Sequence, residues 1–191
     1  MSEKTKVLIV DDQLIARGFF EMHIQASERF ELVSSVGNAD AAIAYCEKNP
    51  VDLVIMDILM RFGSDGLSAA EKIKRNNPSI KIIVVTSMPE YSYIARAKEI
   101  GVESFWYKEF SEIPLLEVLD RTVAGECVYP ESTPSIELGN ADSSEFTKQE
   151  LAVLKEMTMG LSNAEIAEKL CISVNTVITH RRNIARKLQI H

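Results

Sequence analysis

Along residues 6–125, short apolar runs alternate with stretches of helical apolar spacing. The runs Lys6–Val10, Phe30–Val36, Val51–Met56, Ile80–Val85 and Glu103–Tyr107 read as strands. Leu14–Ile24, Ala39–Glu47, Leu67–Arg75, Glu90–Ile100 and Ile113–Ala124 read as helices, with Gly101 closing the fourth as its C′ residue. The first helix shows its apolar spacing at Leu14, Ile15, Phe19, Met22 and His23, and the third turns Ala69, Ala70 and Ile73 inward. Strands alternating with helices in this way imply a doubly wound α/β domain whose parallel sheet is covered on both faces. Right-handed crossovers then gather the C-terminal ends of the strands on one edge.

That edge carries Asp11 and Asp12 after the first strand, Asp57 after the third, Thr86 after the fourth and Lys108 after the fifth. Taken alone, Asp57 is equally suited to capping the following turn. Taken together, the set points to chemistry. Three clustered carboxylates repel one another unless a cation relieves them. Oxygen ligands without His or Cys favour a hard ion, and Mg²⁺ fits because it takes few carboxylates plus a phosphate. Asp57 is then a nucleophile toward phosphorus that forms an acyl phosphate, while Lys108 pairs with one phosphoryl oxygen and the Thr86 hydroxyl donates to another.

From residue 125 the pattern changes. Gly125–Glu145 holds Pro130 and Pro134, small polar residues and no basic residue, and reads as an acidic flexible linker with a little local structure around Val128-Tyr129. The expected domains are residues 1–125, a linker 126–145, and residues 146–191. In the last, Thr147 with Glu150 and Ser162 with Glu165 form capping boxes that open two helices, and Ser173 caps a third. The second and third helices, joined by Cys171-Ile172-Ser173, have the spacing of a helix-turn-helix. The exposed face of the third carries Asn175, Thr176, Thr179, Arg182, Asn183 and Arg186, a polar start followed by arginines, which suits base edges and phosphates.

Charge supports that division. The chain has a net charge of −7, yet residues 146–191 carry 7 Lys+Arg against 4 Asp+Glu, with no acid after Glu168. A basic end on an acidic protein points to a polyanion. Hydrophobic residues at 46% and charged residues at 26% are those of an ordinary globular protein, with no run of membrane-span length. The first residues run directly into a strand and lack a signal-peptide core, so a cytoplasmic location is expected. Cys46, Cys127 and Cys171 lack metal spacing and are expected to be reduced and apolar in role.

The constellation Asp11-Asp12, Asp57, Thr86-Ser87 and Lys108 resembles the receiver domain of two-component response regulators over residues 5–125. The resemblance implies a flavodoxin-like sheet in the order 2-1-3-4-5 and phosphorylation of Asp57 by a sensor histidine kinase or a small phosphodonor. It also implies Mg²⁺ held by Asp12, Asp57 and the Leu59 carbonyl, with Asp11 acting chiefly through water, and a switch role for Phe105 beside Thr86. Leu161–Leu170, Ser173–His180 and Lys187-Leu188 resemble the LuxR-type DNA-binding domain, and the pair of domains is similar to the NarL/FixJ class. That implies double-stranded DNA as partner and a homodimer on activation. Base contacts carry over to Ile178, Thr179 and Arg182, and phosphate contacts to Thr176 and Asn163. Asn175, Arg181 and Arg186 complete the DNA-facing set.

Several positions depart from the family pattern. Arg61 follows Met60 where proline is usual, and the loop Arg61-Phe62-Gly63-Ser64 is one residue longer. Ile178 stands where lysine is frequent. The family usually adds a fourth helix with a dimer face after the position where this chain stops, at His191, so a shortened chain or dimerisation from elsewhere is expected. Two rival functions are an aspartyl phosphohydrolase and a scaffold that binds DNA without phosphate. The first needs a general acid two residues after the nucleophile, where Leu59 stands; no enzymatic activity is expected.

Overall fold

The computed structural model describes residues 3–60, 65–134, 137–138 and 141–189. The loop residues Arg61, Phe62, Gly63 and Ser64 therefore lie outside the described residues. The chain forms two compact units, Met1–Thr133 and Pro134–His191.

The first unit runs β1 (Thr5–Val10), α1 (Leu14–Gln25), β2 (Phe30–Val36), α2 (Ala39–Lys48), β3 (Leu53–Asp57), α3 (Gly66–Asn76), β4 (Lys81–Thr86), α4 (Tyr91–Ile100), β5 (Ser104–Tyr107) and α5 (Leu115–Val123). Its strands are all parallel, in the order β2-β1-β3-β4-β5. Side chains alternate across the sheet. Leu8, Val10, Val54, Met56, Ile82 and Val84 pack on the side of α2, α3 and α4. Val7, Ile9, Leu53, Ile55, Ile83 and Val85 pack on the side of α1 and α5. Every residue of β3 is buried, as an uninterrupted apolar central strand requires.

Two expectations change. The apolar positions expected to mark α1 lie outside: Leu14, Ile15, Phe19 and Met22 are exposed, and Phe20 and Ile24 face the core instead. The helix carries apolar residues on two sides, and its rotation is set at its start. The Gln13 amide donates to Asp11 Oδ1 at 2.8 Å, and the Arg17 guanidinium donates to the Asp11 carbonyl at 2.7 Å. With Arg17 held there, the row Ala16, Phe20, Ile24 meets the sheet.

The second change concerns the expected linker, which the structure divides between the units at Thr133. The Phe105 amide donates to the Val128 carbonyl at 2.8 Å, the Val128 amide to Ser104 Oγ at 3.1 Å, and the Tyr129 hydroxyl to the Val102 carbonyl at 2.7 Å. Val128 joins the core beneath α1 and α5, while Tyr129 packs on the other face. The segment thus straddles β5 and covers an edge strand that would otherwise expose its backbone.

In the second unit β6 (Glu137–Leu138) pairs antiparallel with β7 (Ala141–Asp142), followed by a turn of 3₁₀ helix at Ser143–Glu145 and by α6 (Lys148–Thr158), α7 (Asn163–Lys169) and α8 (Val174–Leu188). Both capping boxes are present, and Ser173 Oγ accepts from the Thr176 amide. Phe146, Val153, Ile166, Ala167, Val177 and Ile184 form the core, with Ala141 of β7. Lys187 donates to the buried Glu150 carboxylate at 2.6 Å and ties α8 to the start of α6. The turn between α7 and α8 holds Cys171 in the left-handed region, at φ 53°. All three cysteines are free, but Cys127 and Cys171 are exposed, so the expected apolar role does not extend to them.

Candidate functional site

Each acid of the first site is placed by the strand that precedes it. The Asp11 amide continues the β1–β2 ladder by donating to the Val36 carbonyl at 3.0 Å, and the Ile58 amide continues β3 by donating to the Val85 carbonyl at 3.1 Å. Leu59 bridges Asp65, and the Gly66 amide donates to the Ile58 carbonyl at 3.0 Å. A Cβ on Gly66 would lie 1.8 Å from the Asp57 carbonyl oxygen, so only glycine fits this approach.

These connections bring Asp11, Asp12 and Asp57 together, each offering a carboxylate oxygen within 4.8 Å of the others. Lys108 Nζ lies 2.6 Å from Asp11 Oδ2 and 2.9 Å from Asp57 Oδ1. The Lys108 amide donates to the Thr86 carbonyl at 2.9 Å, which sets β5 level with the end of β4. The Thr86 hydroxyl is buried and accepts from the Met88 amide at 3.0 Å. Phe105 is buried, with its ring edge-on to Tyr107 at 5.1 Å and tilted against Tyr129 at 6.3 Å.

Asp57 Oδ2 is buried and has no hydrogen-bond partner. The Asp57 carboxyl is raised to about 6, chiefly by burial; Lys108 opposes the rise, and the charges of Asp11 and Asp12 add to it. Burial alone would lower the Lys108 ammonium, but hydrogen bonds and charge from Asp11 and Asp57 outweigh that and hold it above the usual lysine range. The site thus has more negative charge than its one lysine balances and a buried oxygen with an open lone pair. Such a donor set fits a hard cation and an incoming phosphoryl group.

Other contributors were not foreseen. Arg17 closes over the Asp11 carbonyl, and Arg96 of α4 donates to Asp65 Oδ2 at 2.9 Å and to Ser68 Oγ at 2.7 Å. Asp65 also caps α3 by accepting from the Leu67 amide. Their only sequence signal is the Asp65-Gly66 pair opening a helix.

On the second unit, Asn175, Ile178, Thr179, Arg182 and Arg186 are exposed along α8, whereas Thr176 is half-buried, with its hydroxyl 2.7 Å from Ser173 Oγ. Arg181 and Asn163, both expected to face DNA, hydrogen-bond to each other at 2.8 Å across α7 and α8.

The response regulator receiver domain family matches residues 7–120, and the LuxR family of bacterial regulatory proteins matches residues 144–191. The chain is 32% identical over 190 residues to the response regulator protein VraR of Staphylococcus aureus, covering 97% of this chain and 90% of VraR. It is 30% identical over 193 residues to the Fimbriae Z protein of Escherichia coli, covering 98% and 91%. Its fold is similar to that of the RcsB response regulator of Salmonella typhimurium, with a TM-score of 0.63 at 24% identity over 100% of this chain and 94% of that one. The chain therefore belongs to the response regulators of the NarL/FixJ type, a receiver domain joined to a regulatory domain of the LuxR family.

Proposed function

We propose that Asp57 accepts a phosphoryl group and that this controls sequence-specific DNA binding by α8. The observation that carries the reading is the buried, unpartnered Asp57 Oδ2 beside Lys108 and two further carboxylates. A carboxylate oxygen of Asp57 attacks phosphorus, and the bond from phosphorus to the donor breaks with its electron pair leaving on the donor. The donor is the phosphohistidine of a sensor kinase or a small acyl phosphate. Lys108 meets the negative charge of the phosphoryl oxygens, and the Thr86 hydroxyl, whose oxygen accepts from the Met88 amide, donates its own proton to a phosphoryl oxygen and moves toward it. Phe105, three residues before Lys108, follows that movement as the switch residue. Asp11, Asp12, Asp57 and the Leu59 carbonyl would hold Mg²⁺, which supplies neutralising charge to the phosphoryl group.

Leu59 offers no acid to activate water, so phosphate is carried rather than turned over. The added charge of about −1.5 to −2 shifts the receiver toward a form that dimerises. Two α8 helices then enter adjacent major grooves of a double-stranded operator. Arg182 and Arg186, with Asn175, Thr176, Ile178 and Thr179, form the groove face, while Arg181 and Asn163 act near the backbone. RcsB, of the same fold, is known in a complex with DNA. No helix among the described residues is long and apolar enough to cross a membrane, and the proposed place of action is the cytoplasm, where kinase and DNA meet.

The test is acyl-phosphate labelling. With acetyl phosphate and Mg²⁺ the wild-type chain takes up one acid-stable, base-labile phosphate and binds promoter DNA at least about tenfold more tightly. Asp57→Asn takes up none and does not respond. Equal labelling of Asp57→Asn would overturn the assignment, and phosphate-independent binding would favour the constitutive scaffold.

A further inference from the structure

The groove face of α8 is not uniformly polar. Val174 and Ile178 are one turn apart, at i and i+4, and both are exposed, at 42% and 39%. Arg182 continues the same row one turn on. Beside it run Asn175, Thr179 and Arg186. An isolated surface isoleucine needs no explanation. Here two branched apolar side chains share a face with cations and no acids, on the helix that the preceding reading places against DNA.

The polar groups around the row narrow what it can recognise. The Thr179 hydroxyl donates back to the Asn175 carbonyl at 2.9 Å, so its proton is committed to the helix backbone. Arg181, which would flank Ile178, is engaged by Asn163. Within the first two turns the face thus offers apolar surface and one free amide, that of Asn175, but no cation. Guanine is read by a cation on O6 and N7, whereas the feature of the major groove that an aliphatic side chain recognises is the C5 methyl of thymine.

We infer that Ile178, supported by Val174, seats a thymine methyl group in the major groove, so that the operator half-site carries an A·T pair at the position Ile178 meets. This rests on the assignment of α8 as the DNA-reading helix and adds the base class it selects. Burying one methyl group is worth about a fourfold change in affinity.

Replacing thymine by uracil removes that methyl group and nothing else. The full-length protein, with and without acetyl phosphate and Mg²⁺, is used to select duplexes from a random 24-bp library. Each thymine of the selected site is then changed to uracil in turn. The expected result is one thymine per half-site whose replacement weakens wild-type binding about fourfold, with Ile178→Ala binding both duplexes equally. Selection repeated with Ile178→Lys is expected to replace that A·T pair by one with guanine. If wild-type binding is sequence-selective yet every uracil substitution is silent, or if Ile178→Ala retains the full discrimination, the inference fails alone. The same holds if Ile178→Ala alters only self-association. If no duplex is retained under either condition, the DNA-binding reading itself fails and takes the inference with it.

Discussion

A single glycine decides whether α3 can start against the end of β3. With Gly66 buried against the end of β3, a methyl group would meet backbone rather than a yielding side chain. Gly66→Ala is expected to destabilise the first unit by about 3 kcal/mol or more, measurable as a lowered urea midpoint. A circular dichroism melt unchanged from wild type would show that the backbone at Asp57 and Ile58 has room to shift. Asp65, next to it, gives a pH signature. Burial pushes its carboxyl up, but hydrogen bonds from Ser68, Arg96 and the Leu67 amide, and the Arg96 charge, outweigh this and hold it below its ordinary value of 3.8. A depressed folded pKa contributes stability above the unfolded value, and that stability is lost as pH falls through the folded one. Wild type is therefore expected to exceed Asp65→Asn at pH 7 and to converge with it as pH falls below that ordinary value. Because the pair is partly exposed, the difference at neutral pH is about 1 kcal/mol at most. A gap that widens in acid would refute the pairing.

At the scale of elements, the segment after α5 matters more than its composition suggests. Its proline and acid content reads as free chain, yet Val128 is 5% exposed and three hydrogen bonds fix it along β5. A receiver ending at residue 125 would uncover Phe105 and the β5 edge. It is expected to be less stable than one ending at residue 133 by about 2–4 kcal/mol, from the lost burial of Val128 and Tyr129. Equal urea midpoints for the two fragments would show that the segment only rests on the surface. Helix α1 teaches the complementary lesson. Both of its sides carry apolar residues, so periodicity alone cannot choose between them; the contact of Arg17 with the Asp11 carbonyl does.

For the whole molecule, the two units have separate hydrophobic cores, and the smaller one buries a smaller fraction of its chain. The chain holds one tryptophan, Trp106, which lies in the first unit with its indole donating to the Ile113 carbonyl at 2.9 Å. Tryptophan fluorescence thus follows the receiver alone, whereas far-ultraviolet circular dichroism follows both units. The two probes are expected to give non-coincident urea transitions, with helix signal lost first. Coincident curves would mean that the units unfold as one.

Much of this protein could be read from its sequence because the relevant physics is local. Apolar runs ending on Asp57, Thr86 and Lys108, with handed crossovers, are enough to gather those residues on one sheet edge, and Ser or Thr three residues before Glu is enough to place the starts of α6 and α7. Other features depend on groups distant along the chain and only packing settles them. The rotation of α1, the docking of Val128 across β5, the Arg96–Asp65 pair and the engagement of Arg181 by Asn163 are of this kind. Each joins residues whose local patterns permit several partners, and the partner chosen is the one that tertiary packing brings within hydrogen-bonding distance.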